Sequence, residues 1–146
     1  MIYNRVMKIE NKRAFFNYTV EEKIEAGIVL TGGEARAIRT GHINLSNSYA
    51  KIIGGEVFLV NADVPINGAK DYDSSHMRKL LLNRHEIVTL ETKIKQRKLT
   101  LVPTKVYTKA RLIKVELGLA KSKREFEKRE TLKKRDIQRD LDRDLK

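Results

Sequence analysis

A small closed β-barrel is the fold class that this chain predicts: mainly β, with one or two short helices and a basic carboxyl-terminal tail. Three observations lead there. Five short runs carry strand-type residues, at 18–31, at 48–62 as two runs, at 99–108 and at 112–119. A helical period separates the third run from the fourth. The last 26 residues are too polar to join a core.

Residues 1–10 (MIYNRVMKIE) carry little pattern and read as a loose arm. NKRAFF at 11–16 sets the cations Lys12 and Arg13 beside Phe15 and Phe16, a pairing that suits base stacking and phosphate contact, although such phenylalanines are more often core or sheet residues. In 18–31, Ile24, Ala26, Ile28 and Leu30 share one parity, the period-two sign of a half-buried strand. Gly27 inside it suggests a bulge or a barrel bend. GGEARAIRTG then reads as a short helix opened by Gly32-Gly33 and closed by Gly41, with Arg36 and Arg39 on one face.

The apolar runs flanking Gly54-Gly55 predict a hairpin with a two-residue turn. From Asp63 to about His76 the chain reads as a long loop that is either functional or disordered. Asn83 followed by Glu86 is a capping-box pattern, and Leu90 and Ile94 fall four apart, so a helix is expected over about 84–96. In 112–119, Ile113, Val115, Leu117 and Leu119 share a parity that Lys114 and Glu116 oppose. A short connection makes 99–108 and 112–119 a second hairpin. Five strands with a helix between the third and fourth is the element order of an oligonucleotide-binding barrel.

The tail, 121–146, holds 11 Lys/Arg and 7 Asp/Glu. Its few apolar residues cannot offset the entropy of ordering it, so it reads as disordered when free. It lacks Gly and Pro, however, and Ile137, Leu141 and Leu145 fall four apart, so a suitable surface would draw it into a helix. The tail accounts for +4 of the chain's net charge of +12, which leaves +8 on the first 120 residues. With a sequence pI near 10.0, both parts call for a polyanionic partner.

No run approaches a membrane span or a signal peptide, and no Cys is present, so a cytoplasmic protein without disulfides or thiolate metal sites is expected. The histidines 42, 76 and 85 lack metal-ligand spacing, and Asp71 and Asp73 lack the later ligands of a calcium loop. Glu25 reads as a polar strand position, and Glu34 as a first-turn residue favoured by the helix dipole. Gly32-Gly33 has no Lys and Ser/Thr of a phosphate loop. Neither an enzyme, nor a metal, nor a cofactor is expected.

Several stretches together resemble the SmpB family, the SsrA-binding proteins of bacterial trans-translation. They are NKRA, EAGIVLTGGEARAIRTG, NLSNSYA, GEVFL, RKLLLN, LTLVPTKVY and KVELGLAKSK through EKRE, in that order over about residues 11–130. The resemblance implies an oligonucleotide-binding barrel over 11–120. It also implies a non-enzymatic partner of transfer-messenger RNA, which grips the tRNA-like part and helps it enter stalled ribosomes. It places Asn11, Glu25, Leu81 and Lys114 against RNA. The basic residues of the matched stretches, Lys12, Arg13, Arg36, Arg39, Arg78 and Lys79, complete the expected RNA-facing set. In the tail, the triplet Glu127, Lys128 and Arg129 resembles one that acts in the ribosomal decoding region. Lys121, Lys123, Arg124, Lys133, Lys134, Arg135, Ile137 and Leu141 are expected to face the ribosome with it, chiefly the small subunit. Phe15 and Phe16 depart from the family, which often carries a basic residue and a histidine there.

A monomer is expected. Two other readings compete: a general single-strand-binding barrel, for which Tyr49 and Phe58 are thin aromatic support, and a peripheral membrane protein, for which the tail has no Trp and too many interspersed acids.

Overall fold

The computed structural model describes residues 7–68 and 70–144. Its strands are β1 (Lys8–Glu10), β2 (Tyr18–Ile28), β3 (Tyr49–Ile53), β4 (Glu56–Val60), β5 (Arg78–Leu81), β6 (Thr100–Lys109) and β7 (Leu112–Ser122). Its helices are α1 (Lys12–Asn17), α2 (Gly32–Arg39), α3 (Arg84–Arg97) and α4 (Glu125–Asp144). All pairings are antiparallel. The sheet order β1-β6-β3-β4-β5-β2-β7, with β6 also pairing β7, closes six strands into a ring and leaves β1 as an added edge on β6. The mainly β barrel expected from the sequence is present, with β1, β5 and α1 as additional elements. Four residues or fewer of β1 and β5 are too short a window for periodicity to register.

Residues 1–6 of the expected arm, and Leu145 of the expected tail stripe, lie outside the described residues. Within the arm, Lys8–Glu10 pair with Tyr107, Val106 and Lys105 of β6. β6 can hold both β1 and β3 on one edge because it bends. Pro103 interrupts its ladder, the register with β7 shifts between Pro103 and Lys105, and β3 meets β6 at Leu101 on the other side of that shift.

The barrel interior is filled by inward positions of every ring strand, among them Val57, Leu59, Leu80, Leu101, Val106, Val115 and Leu117. Each such side chain contributes about 1.5–3 kcal/mol on burial. Ile38 of α2 and Ile87 and Leu90 of α3 join the same core. The Asn83 capping box is formed as read: Asn83 Oδ1 accepts from Glu86 N at 2.9 Å and Glu86 Oε1 accepts from Asn83 N at 3.0 Å. Outside the barrel, α1 lays Ala14 on Val102 and Ala120, a second and smaller core.

Gly27 does not mark a bulge. The register shift in β2 falls between Val20 and Glu22 instead. A Cβ on Gly27 would meet the Leu81 Cβ at 3.2 Å, so this glycine makes room for a neighbouring side chain.

The loop from 63 to 77 is held by a buried ion pair. Glu34, at the third position of α2, caps that helix by accepting from Thr31 N at 2.9 Å. Its other oxygen accepts from Arg78 Nε at 2.7 Å and from His76 Nε2 at 2.8 Å. Arg78 also donates to Ala62 O, Ser74 O and the Tyr72 hydroxyl. Arg78 and Glu34 are each 1% exposed. Arg78 was expected to face RNA; the correction is that its guanidinium is committed inside, where its five N–H donors make five hydrogen bonds and no phosphate could reach.

Burial opposes ionisation of Glu34, but the Thr31 amide, Arg78 and His76 outweigh it and lower its carboxyl to about 2. Because the folded value lies below the ordinary 4.5, the stabilisation is complete above about pH 4.5 and is lost as pH falls toward 2. Its size is about 3 kcal/mol. Two outcomes follow for urea denaturation. Arg78→Met should cost about 3–5 kcal/mol at pH 7, since it strands a buried carboxylate. Glu34→Gln should flatten the loss of stability between pH 4.5 and 2.5. A cost below 1 kcal/mol together with an unchanged acid limb would contradict the assignment.

Candidate nucleic-acid interface

Three residues from separate stretches of sequence meet on one outer wall of the barrel. Cross-strand register sets Leu81 opposite Gly27, Gly27 opposite Lys114, Lys114 opposite Tyr107, and Tyr107 opposite Lys8. Two residues along, a second row sets Glu25 opposite Glu116, Glu116 opposite Lys105, and Lys105 opposite Glu10. Alternation along β7 turns Val115 and Leu117 inward, which forces Lys114 and Glu116 outward. Leu81, 52% exposed, lies across the space that Gly27 leaves open.

The two rows are tied together. The Tyr107 hydroxyl donates to Glu25 Oε2, and Lys109 Nζ lies 3.5 Å from Glu25 Oε1. Glu116 takes Lys23 at 3.6 Å, Lys105 at 3.5 Å and the Thr104 hydroxyl at 2.8 Å. Lys105 Nζ stands 5.3 Å over the Tyr107 ring, and Lys23 Nζ 5.5 Å over the Phe15 ring. This is a lattice of cations held upright by two carboxylates and two aromatic faces. The Tyr107 hydrogen bond leads the effects that lower the Glu25 carboxyl below the ordinary range, and Lys109 and Lys114 add to it. Burial and the neighbouring Glu25 push the Tyr107 phenol up. Such a wall can bind phosphates through its lysines. It can also offer Glu25 to hydroxyl or amino donors.

The remaining expected residues are placed as follows. Asn11 is 4% exposed, and its amide is committed: Nδ2 donates to Leu45 O and Pro103 O, and Oδ1 accepts from Ala14 N. It caps α1 and fastens it to β6, which corrects the expectation of an RNA contact. Lys12 and Arg13 are exposed on α1. Arg36 and Arg39 are exposed on α2, where Arg39 donates to Arg111 O at the β6–β7 turn and so joins this end of the wall. Lys79 is exposed on β5 and pairs with Glu56 at 3.2 Å.

In the tail, Lys121 still belongs to β7 and pairs with Thr19. Lys123 donates to Phe15 O at 2.9 Å and Thr131 Oγ1 at 3.0 Å, so it roots α4 on α1 instead of facing outward as expected. Arg135 lies 5.6 Å from the Phe16 ring centroid. Arg124, Glu127, Arg129, Lys133 and Lys134 are exposed and Lys128 is half-buried, while Ile137 and Leu141 are each 52% exposed.

Tyr107, Lys105 and Lys109 were not singled out from the sequence, and Glu116 was read only as a position opposing the parity of its strand. The alternation of β6 and β7 places them outward, but which of them face Glu25 is a matter of register across three strands. Among the described residues no helix is long and apolar enough to cross a membrane, and no group of three or more His, Asp or Glu is placed to hold a metal.

Tyr107→Phe removes the hydroxyl and keeps the ring. In a carboxyl-detected NMR titration, it should raise the Glu25 pKa toward 4.5 more than Lys109→Ala does. An unmoved Glu25 in the Phe variant would show that the hydroxyl does not hold it.

The family model described as SmpB protein matches residues 8–146. An SsrA-binding protein of Desulfitobacterium hafniense is 44% identical over 137 residues, covering 92% of this chain and 88% of that one. The SsrA-binding protein of Chloroflexus aurantiacus is 47% identical over 141 residues, covering 94% and 88%. Among solved structures, a chain described by the words "tmRNA-SmpB: a journey to the center of the bacterial ribosome" superposes with a TM-score of 0.67 at 39% identity, over 81% of this chain and 85% of that chain. A family match over nearly the whole sequence, agreement in fold, and relatives this similar lead to one conclusion: the chain belongs to the SmpB family of SsrA-binding proteins.

Proposed function

We propose that this protein is an RNA-binding adaptor of bacterial ribosome rescue. In this reading the barrel body grips the tRNA-like part of transfer-messenger RNA with the wall built by β2, β7 and β6, and α4 works in the decoding region of the small subunit. The observation that carries it is the convergence of Leu81, Glu25 and Lys114, from three distant stretches, on one outward and basic surface. Membership of the SmpB family and the likeness to a chain from a tmRNA-SmpB ribosome structure support it. The reading assigns the chain no catalysis and places it in the cytoplasm, as a monomer.

Lys114 and its lysine neighbours would neutralise phosphates and release counterions, so affinity should fall steeply with salt. Glu25 would read a 2′-hydroxyl or a base amino group, which phosphate repulsion alone cannot do. Leu81 would cover an apolar base surface. Residues 11–120 then form the RNA-binding body and 121–146 the ribosome-facing tail.

For α4, the same surface that touches α1 carries Thr131 and Arg135, while Ile137 and Leu141 stay exposed. A helix attached by so few contacts would be loose in the free protein and settle when a ribosomal RNA groove supplies charge and a surface for the apolar residues.

Two experiments test the two halves. Lys114→Ala should weaken binding to the tRNA-like RNA by roughly 1–3 kcal/mol and lower the salt slope by about one. Equal affinity and slope in wild type and variant would sink the body's role. Ile137→Pro disfavours helix by about 3 kcal/mol and leaves every charge in place. It should bind free transfer-messenger RNA normally and fail in a reconstituted tagging assay. Normal tagging would mean that the tail acts as an unstructured cationic string.

A further inference from the structure

The opposite wall of the barrel breaks the ordinary pattern of a solvated sheet. In the ring β6-β3-β4-β5-β2-β7, β4 lies three strands from β7 in either direction, so its outer face is opposite Lys114, and β5 lies between the two walls. A strand with one wet face alternates apolar and polar. Here most outward positions of β3 and β4 are apolar as well, Lys51 and Glu56 being the exceptions. Ala50, Val57 and Leu59 fill the core, yet Tyr49, Ile53 and Phe58 point outward. Tyr49 is 37% exposed and Ile53 43%. On β5 the outward series continues with Leu81, and Met77 just before the strand is 49% exposed.

Two cations stand in the middle of this apolar wall. Lys51 is directly opposite Phe58, and Phe58 is directly opposite Lys79, so one cross-strand row reads cation, ring, cation. Neighbouring strands are about 4.8 Å apart. A lysine thus stands on the neighbouring strand on either side of Phe58. Lys79 is paired with Glu56 at 3.2 Å, but both side chains are about half exposed and such a pair is worth little, so the ammonium can turn to a phosphate.

We infer that this β3–β4–β5 wall binds unpaired RNA nucleotides, with bases stacked on Phe58 and Tyr49 and phosphates held by Lys51 and Lys79. Three observations favour RNA over the other occupants. An apolar protein partner would not be matched by two lysines at the centre of the patch. A second copy of a chain with net charge +12 would bring like charge onto like. The wall also runs without a break into Leu81, which belongs to the proposed tRNA-like RNA interface, so one RNA could follow the barrel around β5. In oligonucleotide-binding barrels generally, the second and third strands present the binding face, and β3 and β4 hold that place here. The inference rests on the RNA-binding reading for the class of ligand only; its residues are different, so the two can fail separately.

The test uses the full chain and two fluorescent probes at low salt: a 12-nucleotide oligouridylate, which has no structure, and the tRNA-like RNA. Phe58→Ala should weaken oligouridylate binding about 5- to 150-fold, the loss of one stacked base. Tyr49→Ala, on a more exposed side chain, should weaken it in the same direction with an unchanged thermal melt, which guards against a misfolded Phe58 variant. Lys114→Ala should leave oligouridylate binding within about twofold while reducing binding of the tRNA-like RNA. Failure of the wild type to bind oligouridylate, or wild-type binding by both aromatic variants, would overturn the inference. So would a dimer in sedimentation that Phe58→Ala dissolves. If Lys114→Ala instead leaves the tRNA-like RNA unaffected, the proposed function fails and the β3–β4–β5 wall stands on its own result.

Discussion

The buried pair of Arg78 and Glu34 is the constraint on which the rest of the barrel surface depends. β5 is only four residues long, and its outward side carries Lys79 and Leu81. A slip of one residue would exchange its two faces. Arg78 prevents the slip because its guanidinium must stay inside with Glu34, Ala62, Tyr72 and Ser74, and nothing outside could replace those partners. Locking Arg78 inward turns Leu81 outward over Gly27, and it turns Lys79 outward beside Phe58. Each wall of the barrel therefore takes its β5 side chain, Leu81 or Lys79, from one internal ion pair. The same pair ties the first turn of α2 to the 63–77 loop, which explains how a long polar connection keeps a fixed course.

The wall around Lys114 shows how a basic surface can be shaped instead of merely charged. Lysines are flexible and strongly hydrated, so an unsupported cluster would hold phosphate without selecting a geometry. Here Glu116 gathers Lys23 and Lys105, Glu25 gathers Lys109, and the Tyr107 ring supports Lys105. Each exposed pair adds little to stability. Their effect is on position, since they reduce the rotamer freedom that RNA binding would otherwise have to remove. The carboxylates also exclude any purely cationic description of the site, because Glu25 faces Lys109 and Lys114 and Glu116 faces Lys23 and Lys105.

Much of the fold was legible in the sequence because it rests on local pattern. Alternation found β2 and β7, the apolar runs around Gly54-Gly55 found β3, β4 and their hairpin, a run of strand-type residues found β6, and Asn83 with Glu86 found the start of α3. Fold recognition also held, and the family model matches the stretches that carried it. The misses have a common cause in partners remote along the chain. Arg78 looked like one more cation because Glu34 lies 44 residues away. The family resemblance placed Asn11 against RNA, and its acceptors Leu45 O and Pro103 O lie too far along the chain for local pattern to correct that. Gly27 was read as a bulge or a bend, and the room it makes for Leu81 went unseen because Leu81 is 54 positions on. Tyr107 went unnoticed for the same reason, since its hydroxyl reaches Glu25 across β7.

In the proposed function the walls and the tail divide the work by position: Lys114, Glu25 and Leu81 on one side, Phe58 between its lysines on the other, and α4 rooted by Lys123 where β7 ends. The central claim is that the Lys114 wall, and not the buried cluster, meets the tRNA-like RNA. Amide chemical-shift mapping on titration with that RNA tests it directly. The account requires the largest changes at Glu25 to Gly27, at Leu81 and at Lys114 to Glu116, with Glu34 and Arg78 nearly unmoved. Large changes at Glu34 and Arg78 with a silent Lys114 would contradict it.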